Sequence, residues 1–410
     1  MSLTRYLPIP SDRMGILWSL LNIEGCAVIE YGPAGTTHYS MGLFAGLGIE
    51  QENSLFTTHM REDDVIMGDT SRLENAIIEV DRNFAPKVIF ICASSSAAVI
   101  GTDLKGVCTM LQPKVNAKLM SFEQGGFRGD YSAGIRTAYS FIAEHLVEKR
   151  EEKRETKYNI IGASVGSYRC KADTIEIERL MREAFGMTAH ARLCLETDIE
   201  TIRTMGEASL NLVIRPEGID AAKKLEEKCG TRYVSGAPYG YAGTAEWLRS
   251  VGEVISKQPN EALIASLEAK QREAAQYRMY ARMLKRDKPQ AFLYGDYETV
   301  SGLSAFLESI GVKAEKRICK HALLSVPQPN EGMEYHRTEL ERIGDFKSAR
   351  NALILADDQL KRLCDKSCTY MRISTPVIDG AQVAVHMPIM GDRGADMLME
   401  YVEEYFNTLK

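Results

Sequence analysis

The chain has 410 residues, of which 45% are hydrophobic and 26% are charged, and its formal net charge at pH 7 is −6. This length predicts about three domains of ordinary size. The lack of a basic excess argues against nucleic-acid binding. No polybasic run, bilayer-length apolar run or signal peptide is apparent, so we expect a cytoplasmic protein with no membrane partner.

The nine cysteines are spread along the chain, and no two of them have the C-x-x-C spacing of a zinc ribbon or a thioredoxin motif. Cys364 and Cys368 are four residues apart, which on a helix would place them on one face. Because a free cysteine is commonly a small core residue, buried packing is the expected role of that pair.

Strand-like and helix-like segments alternate from the start of the chain. In the first third the predicted order is helix Asp12–Leu21, strand Cys26–Tyr31, helix His38–Leu47, helix Ser71–Asn83, strand Val88–Cys92, a helix through Leu111, strand Ala117–Phe122 and a helix to about Val147. The charged run Glu148–Lys157 predicts a solvated helix end or a linker.

The same alternation continues to the end of the chain. The further predictions are strand Tyr158–Gly162, helix Asp173–Phe185, strand Leu210–Ile214, helix Gly218–Cys229, helix Thr244–Val254, one long helix Glu261–Asp287, strands Ala291–Tyr294, Ala352–Ala356 and Met371–Ser374, and helix Gly394–Asn407. Alternating βα units predict parallel sheets. We therefore expect an α/β fold of three doubly wound, Rossmann-like domains around a shared cleft.

The expected domains are residues 1–156, 157–260 and 261–410. The long helix Glu261–Asp287 is expected to bridge the second and third domains. The C-terminal helix is expected to pack back on the first domain.

The stretch Gly25–His38 combines an apolar strand, a tight loop with two glycines and the start of a helix. Open α/β sheets bind their ligands at such a βα corner. Gly32 and Gly35 would let the backbone approach a bulky group, and Thr36 or Thr37 could cap the helix. A simple turn with an N-cap is the alternative. No nucleotide motif occurs in the chain, because neither GxxxxGK[ST] nor a strand-bound GxGxxG is present.

Short motifs follow one another at Tyr31–Gly35, 56–68, Val99–Asp103, Gly125–Gly129, Thr375–Asp379 and Met390–Ala395. In this order they resemble the nitrogenase component 1 type oxidoreductases, over nearly the whole chain. The resemblance implies an oxygen-sensitive enzyme of two related subunits with an iron–sulfur cluster at their interface. It also implies an ATP-dependent iron–sulfur reductase as the electron donor.

The family's three cluster cysteines are missing from this chain. Ser11, Thr36 and Ser95 stand at the matching positions. A neutral hydroxyl is a poor ligand for iron–sulfur clusters, which take thiolates. A cysteine-ligated cluster held by this chain at those positions is therefore not expected.

The missing cysteines leave three explanations open. In the first, the partner subunit supplies the protein ligands, and this chain only lines the cluster through Ser11, Gly32, Pro33, Gly35, Thr36 and Ser95. In the second, Cys26 and Cys92 of the first domain serve as replacement metal ligands. In the third, the site has been lost and the chain is a structural half.

No residues match the cysteine and histidine that hold nitrogenase's active cofactor, so we assign no catalytic residue. The predicted function is a β-like partner half of a nitrogenase-like oxidoreductase, either paired with a related α-type subunit or self-associated. The alternative is a non-catalytic scaffold or carrier for a metallocofactor or a tetrapyrrole.

Overall fold

The βα alternation organises the protein into parallel sheets. The structure, a computed structural model, describes residues 8–38, 40, 55–283, 288–323, 326, 328–336, 338–377 and 386–409. In these ranges the strands are β1 (Ile23–Glu24), β2 (Cys26–Tyr31), β3 (Leu55–Thr57), β4 (Val88–Ala93), β5 (Lys118–Phe122), β6 (Arg154–Ile161), β7 (Thr188–Arg192), β8 (Thr197–Asp198), β9 (Ala208–Val213), β10 (Arg232–Ser235), β11 (Gln290–Gly295), β12 (Lys313–Cys319), β13 (Glu334–Tyr335), β14 (Leu353–Ala356) and β15 (Thr369–Arg372).

Helices cover these sheets. Those in the described ranges are α1 (Asp12–Leu20), α2 (Glu62–Met67), α3 (Ser71–Phe84), α4 (Ser95–Val99), α5 (Leu104–Leu111), α6 (Tyr131–His145), α7 (Cys170–Phe185), α8 (Ile199–Arg203), α9 (Ile219–Cys229), α10 (Gly240–Ile255), α11 (Glu261–Ala274), α12 (Tyr277–Met283), α13 (Tyr297–Ser309), α14 (Glu339–Ser348), α15 (Asp358–Lys361) and α16 (Gly391–Thr408). Residues 34–38 are also helical, whereas 41–47 of the predicted helix His38–Leu47 lie outside the described residues.

Three parallel sheets follow one another along the chain, with the strand orders β3-β2-β4-β5, β10-β9-β6-β7 and β13-β12-β11-β14-β15. The predicted α/β fold with several parallel sheets is therefore confirmed. A short parallel pair, β1 with β8, also joins the first third of the chain to the middle. Every residue of β2 and β4 is buried, as expected for central strands that are covered on both faces.

Besides β10 and the two-residue strands β1 and β8, four strands lie outside the segments predicted from apolar runs: β3, β7, β12 and β13. Three of them are edge strands, and β12 carries four charged residues in seven, so hydrophobicity did not mark any of them. Part of the charged run Glu148–Lys157 also belongs to a strand, since β6 begins at Arg154. The prediction that this whole run is a linker or helix end is wrong.

The predicted single helix Glu261–Asp287 is interrupted. Helix α11 ends at Ala274 and α12 begins at Tyr277, while residues 284–287 lie outside the described residues. The second segment is held by tertiary contacts: Tyr277 packs against Phe406, and the Cα of Arg278 lies 2.9 Å from the position of a Cβ on Gly311.

The C-terminal helix α16 packs against α7 and α10, which flank the middle sheet. It also contacts β15 of the third sheet. We expected it against the first domain, and the contacts place it instead beside the second and third sheets. The boundaries at 156 and 260 stay predictions. Among the described residues, no helix is long and apolar enough to cross a membrane.

Helices α1 and α6 cross at very short range, which sets the geometry around Ser11. A Cβ on Gly15 would lie 2.0 Å from the carbonyl oxygen of Tyr131, and a Cβ on Gly134 would lie 1.8 Å from that of Asp12. Only glycine allows backbones to approach this closely. The crossing holds the N-terminus of α1 against the segment that precedes α6.

We expect Gly134→Ala to lower the melting temperature, because the added methyl forces the two helices apart at a cost of about 1–3 kcal/mol. Gly243, inside α10, has no atom within 4 Å of its Cβ position and provides the matched control. Gly243→Ala should stabilise the folded protein by about 0.5–1 kcal/mol. Equal shifts for the two variants in thermal melts would contradict the close crossing.

Candidate functional site

The loop after β2 lies directly against the loop after β4. A Cβ on Gly32 would come within 2.5 Å of the Oγ of Ser94 and 3.4 Å of the Oγ1 of Thr36. Only glycine fits at position 32, and the predicted strand–loop–helix corner is present, since residues 34–38 are helical. Gly35 differs, because nothing lies within 4 Å of its Cβ position.

Ser11 and Ser95 meet at the glycine-rich segment that follows β5. Gly126 has a positive φ of 98°, and a Cβ there would lie 3.1 Å from the Oγ of Ser11 and 3.6 Å from the Oγ of Ser95. Ser95 donates a hydrogen bond to the carbonyl oxygen of Gly125 (2.6 Å), and Ser11 forms an isolated antiparallel bridge with Asp130. Two residues 84 positions apart in sequence therefore border the same glycine.

Thr36 lies on the neighbouring loop, where its Oγ1 donates to the carbonyl oxygen of Pro33 (2.8 Å). Ser94 is in contact with Gly32 and precedes Ser95, so it connects the Thr36 loop to the Ser11–Gly126 contact. The predicted site residues Ser11, Gly32, Pro33, Thr36 and Ser95 thus gather at one edge of the first sheet. We call this group the hydroxyl edge.

The hydroxyl edge does not fit a cluster ligated by its own side chains. The hydroxyl protons of Thr36 and Ser95 are directed to backbone carbonyl oxygens. Iron in iron–sulfur clusters is held by thiolates, or by imidazole in some centres, and not by serine or threonine bonded in this way. The group that the family implies at this edge therefore has no ligand set among these residues.

Cys26 and Cys92 lie apart from each other in the core. In the β2–β4 register Cys26 pairs with Val88 and Cys92 pairs with Glu30, so the two are four residues apart along the sheet, about 13 Å. Burial raises the pKa of the Cys26 thiol to about 12 and that of Cys92 even higher. Neither burial nor spacing favours this pair as joint metal ligands.

A buried ion pair lies directly beneath the hydroxyl edge. The Arg13 guanidinium, on α1, donates to the Glu30 carboxylate, on β2, and also to the Oγ of Ser40 (3.1 Å) and the carbonyl oxygen of Thr36 (3.5 Å). Glu30 is fully buried. This pair was not predicted, although a glutamate inside the apolar strand Ala27-Val28-Ile29-Glu30-Tyr31 could have indicated it.

A second buried polar cluster lies where strands of the second and third sheets end, next to the start of α6. Tyr131 donates to the carboxylate of Asp296 (2.6 Å), and the Lys320 ammonium is 3.3 Å from the same carboxylate. Burial opposes ionisation of Asp296, but the cations of Lys320 and Arg215 hold the pKa of this carboxyl well below its usual range. Residues 208–213, 290–295 and 313–319 are the strands that precede Arg215, Asp296 and Lys320.

His321 extends this cluster. Its Nε2 accepts a hydrogen bond from the backbone N–H of Tyr297 (3.2 Å) and lies 3.9 Å from the carboxylate of Glu217. The chain's own charged side chains thus fill the region between the ends of the second and third sheets and the start of α6. The shared cleft stays a prediction. None of these residues was predicted to belong to a site.

Exposed apolar side chains lie on the segments that carry or follow the hydroxyl edge and on α2. Met67 on α2, Val99 at the end of α4 and Phe127 beside Gly126 are 78%, 73% and 66% exposed. A cavity of about 490 Å³ next to them is lined in part by Tyr31 and Ile100. Exposed apolar side chains, when they form a contiguous patch, are typical of a surface that another protein covers.

The sequence profile described as nitrogenase component 1 type oxidoreductase matches residues 11–407. The chain belongs to this family. A solved structure titled "Nitrogenase Cp1 at pH 6.5" superposes with a TM-score of 0.78 at 17% identity, over 99% of this chain and 95% of that one. At this identity the likeness concerns the fold.

Curated members of the family are similar in sequence. The nitrogenase iron-molybdenum cofactor biosynthesis protein NifE of Nostoc sp. is 28% identical over 58% of this chain and 49% of its own length. NifE of Bradyrhizobium diazoefficiens is 24% identical over 89% of this chain and 66% of its own length. The nitrogenase molybdenum-iron protein alpha chain of Methanosarcina barkeri is 26% identical over 71% of this chain and 56% of its own length. The matched part is about half to two thirds of these relatives.

We expect Arg13→Leu to destabilise the protein by about 3–5 kcal/mol, since it leaves the buried Glu30 carboxylate without its cation. The double variant Arg13→Leu/Glu30→Leu removes both charges and should recover much of this loss. Urea unfolding of the three proteins measures the difference. If the double variant were no more stable than the single one, burial of the unpaired charge would not be the cause.

Proposed function

We propose that this chain is a partner half of a nitrogenase-like oxidoreductase, which shapes an interface iron–sulfur cluster that the other subunit ligates. One observation carries the proposal: the hydroxyl edge gathers residues at all three positions where the family has cluster cysteines, and none of them offers a thiol. Because the relatives include an alpha chain, we propose this role without the β-type assignment that the missing cysteines suggested.

Two properties of the hydroxyl edge support this role. The loops that carry it are packed closely together, because Gly32 lies against Ser94 and Gly126 lies against Ser11 and Ser95. Backbone N–H groups in such glycine loops can face an anionic cluster or a sulfide without ligating iron. A chain of this kind contributes shape and hydrogen bonds, while the thiolates come from elsewhere.

The exposed apolar side chains support a protein partner at this edge. Val99 and Phe127 follow Ser95 and Gly126 closely in sequence, so a subunit that covers them also covers the hydroxyl edge. A related component 1 subunit or a second copy is the proposed occupant. An ATP-dependent iron–sulfur reductase is the proposed electron donor to the assembled pair.

A scaffold role is the second candidate. The relatives named NifE are described as cofactor biosynthesis proteins, which favours a chain that holds a metallocofactor, or a tetrapyrrole, and passes it on. The two roles differ in outcome. A scaffold releases an intact cofactor to an acceptor, whereas an oxidoreductase half sustains electron transfer from the reductase.

The test is anaerobic purification of the chain alone and of the chain co-expressed with the related component 1 subunit of the same organism. Alone, the chain should contain only trace iron, and the pair should give a stoichiometric cluster by iron analysis and EPR. A stoichiometric [4Fe–4S] cluster in the chain alone would overturn the proposal. Cys26→Ser and Cys92→Ser would then identify replacement ligands.

Thr36→Trp places a bulky group at the hydroxyl edge and should abolish pairing and cluster assembly while the melting temperature stays near that of the wild type. Thr109→Trp, on the exposed face of α5, is the matched control and should pair normally. Thr36 lies inside the helical residues 34–38, so the predicted capping role is wrong. If its hydroxyl only supports the helix start through the bond to Pro33, Thr36→Ala would cost about 1 kcal/mol and Thr36→Trp would still pair.

A further inference from the structure

A mixed cluster of potential metal ligands lies at the far edge of the third sheet, apart from the hydroxyl edge. Glu334 on β13, His336 two residues later and Asp345 on α14 each direct one ligand atom to a common point, and these atoms lie within 4.8 Å of one another. Residues i and i+2 of an extended segment share one face, which explains why Glu334 and His336 point the same way. Helix α14 supplies the third group.

The two separations that involve His336 are close to those around a tetrahedral metal ion. The Nε2 of His336 is 3.3 Å from a carboxylate oxygen of Asp345 and 3.7 Å from one of Glu334. Zinc–nitrogen and zinc–oxygen bonds of about 2.0–2.2 Å in a tetrahedron place neighbouring ligand atoms about 3.3–3.6 Å apart. The three groups therefore need little movement to bind one ion.

A cation already occupies part of this arrangement. The Lys316 ammonium lies 3.0 and 3.1 Å from the two oxygens of Glu334 and 3.4 Å from Asp345. Lys316 is on β12, next to β13, and its side chain is only 29% exposed. The position that joins both carboxylates thus attracts positive charge, and a divalent ion would take the place of the ammonium group.

The surroundings of the His336 imidazole suit it to metal binding. The His336 side chain is 8% exposed, and its Nδ1 has no hydrogen-bond partner within the described part of the chain. The Nε2 instead faces the two carboxylates. A buried imidazole whose one well-placed nitrogen faces two carboxylate oxygens has the donor set of a zinc or other borderline divalent ion, rather than that of Mg²⁺ or Ca²⁺.

We propose that Glu334, His336 and Asp345 bind one divalent transition-metal ion, with Zn²⁺ as the best match, and that the Lys316 side chain swings outward when the ion enters. The ion would join the edge strand β13 to α14. Three protein ligands leave a fourth position for water. This site is independent of the proposed function, because it lies on a different sheet and shares no residue with the hydroxyl edge.

The test is a titration of the full chain, purified free of metal, with Zn²⁺ by calorimetry and with Co²⁺ by absorption. The wild type should bind one ion with the spectrum of nitrogen and oxygen ligands, and Zn²⁺ should raise its melting temperature. His336→Ala should weaken binding by at least about 10-fold, since even an outer-shell change has effects of that size. A thiolate charge-transfer band would instead assign the ion to cysteines and overturn the proposal.

Lys316→Met is the second variant, and it removes the competing ammonium while keeping the aliphatic stem. It should bind Zn²⁺ more tightly than the wild type. Absence of Zn²⁺ binding by the wild type, or equal binding by wild type and His336→Ala, would overturn the site. A Lys316→Met variant that binds no more tightly would overturn the proposed displacement of Lys316. Melting curves without metal establish that both variants are folded.

Discussion

The crossing of α1 over α6 is the contact on which the candidate site depends. Gly15 and Gly134 let the two backbones touch, with each glycine facing a carbonyl oxygen of the other helix. This contact brings the residue before α1, Ser11, against the segment before α6, which contains Gly126. Sequence-distant loops then share one edge of the sheet. Any side chain at either glycine would separate them.

Buried charged side chains also hold α1 and α6 against the sheets. Arg13 and Glu30 join α1 to the central strand β2, and Tyr131, Asp296 and Lys320 join α6 to the third sheet. Such pairs contribute little net stability, but breaking one is costly because the remaining charge stays buried. They therefore hold the sheets in one relative arrangement. These groups fill the region between α6 and the ends of the second and third sheets, whereas the hydroxyl edge has the exposed apolar neighbours Val99 and Phe127 and is the candidate for contact with a partner.

The chain keeps the family's fold while the family's ligand chemistry is absent from the matching positions. Fold and function separate here as they do in other widely used folds, because activity depends on a few side chains placed on a conserved scaffold. Ser11, Thr36 and Ser95, which stand at the positions of the family's cluster cysteines, still lie together at the hydroxyl edge. The chemistry has changed from thiol to hydroxyl, so the proposed contribution of this chain is shape and partner contact.

The sequence by itself determined the βα alternation, most central strands, the glycine loop at Gly32 and the three hydroxyl positions, because hydrophobic periodicity and loop composition are local properties. It did not indicate the edge strands β3, β7 and β13, the break after Ala274 or the Arg13–Glu30 pair. Tertiary structure alone decided that Ser11 meets Ser95 across Gly126, that Cys26 and Cys92 lie apart, and that His336 joins Glu334 and Asp345. These outcomes depend on contacts between residues far apart in the chain, whose energies come from close packing and burial that no local pattern records.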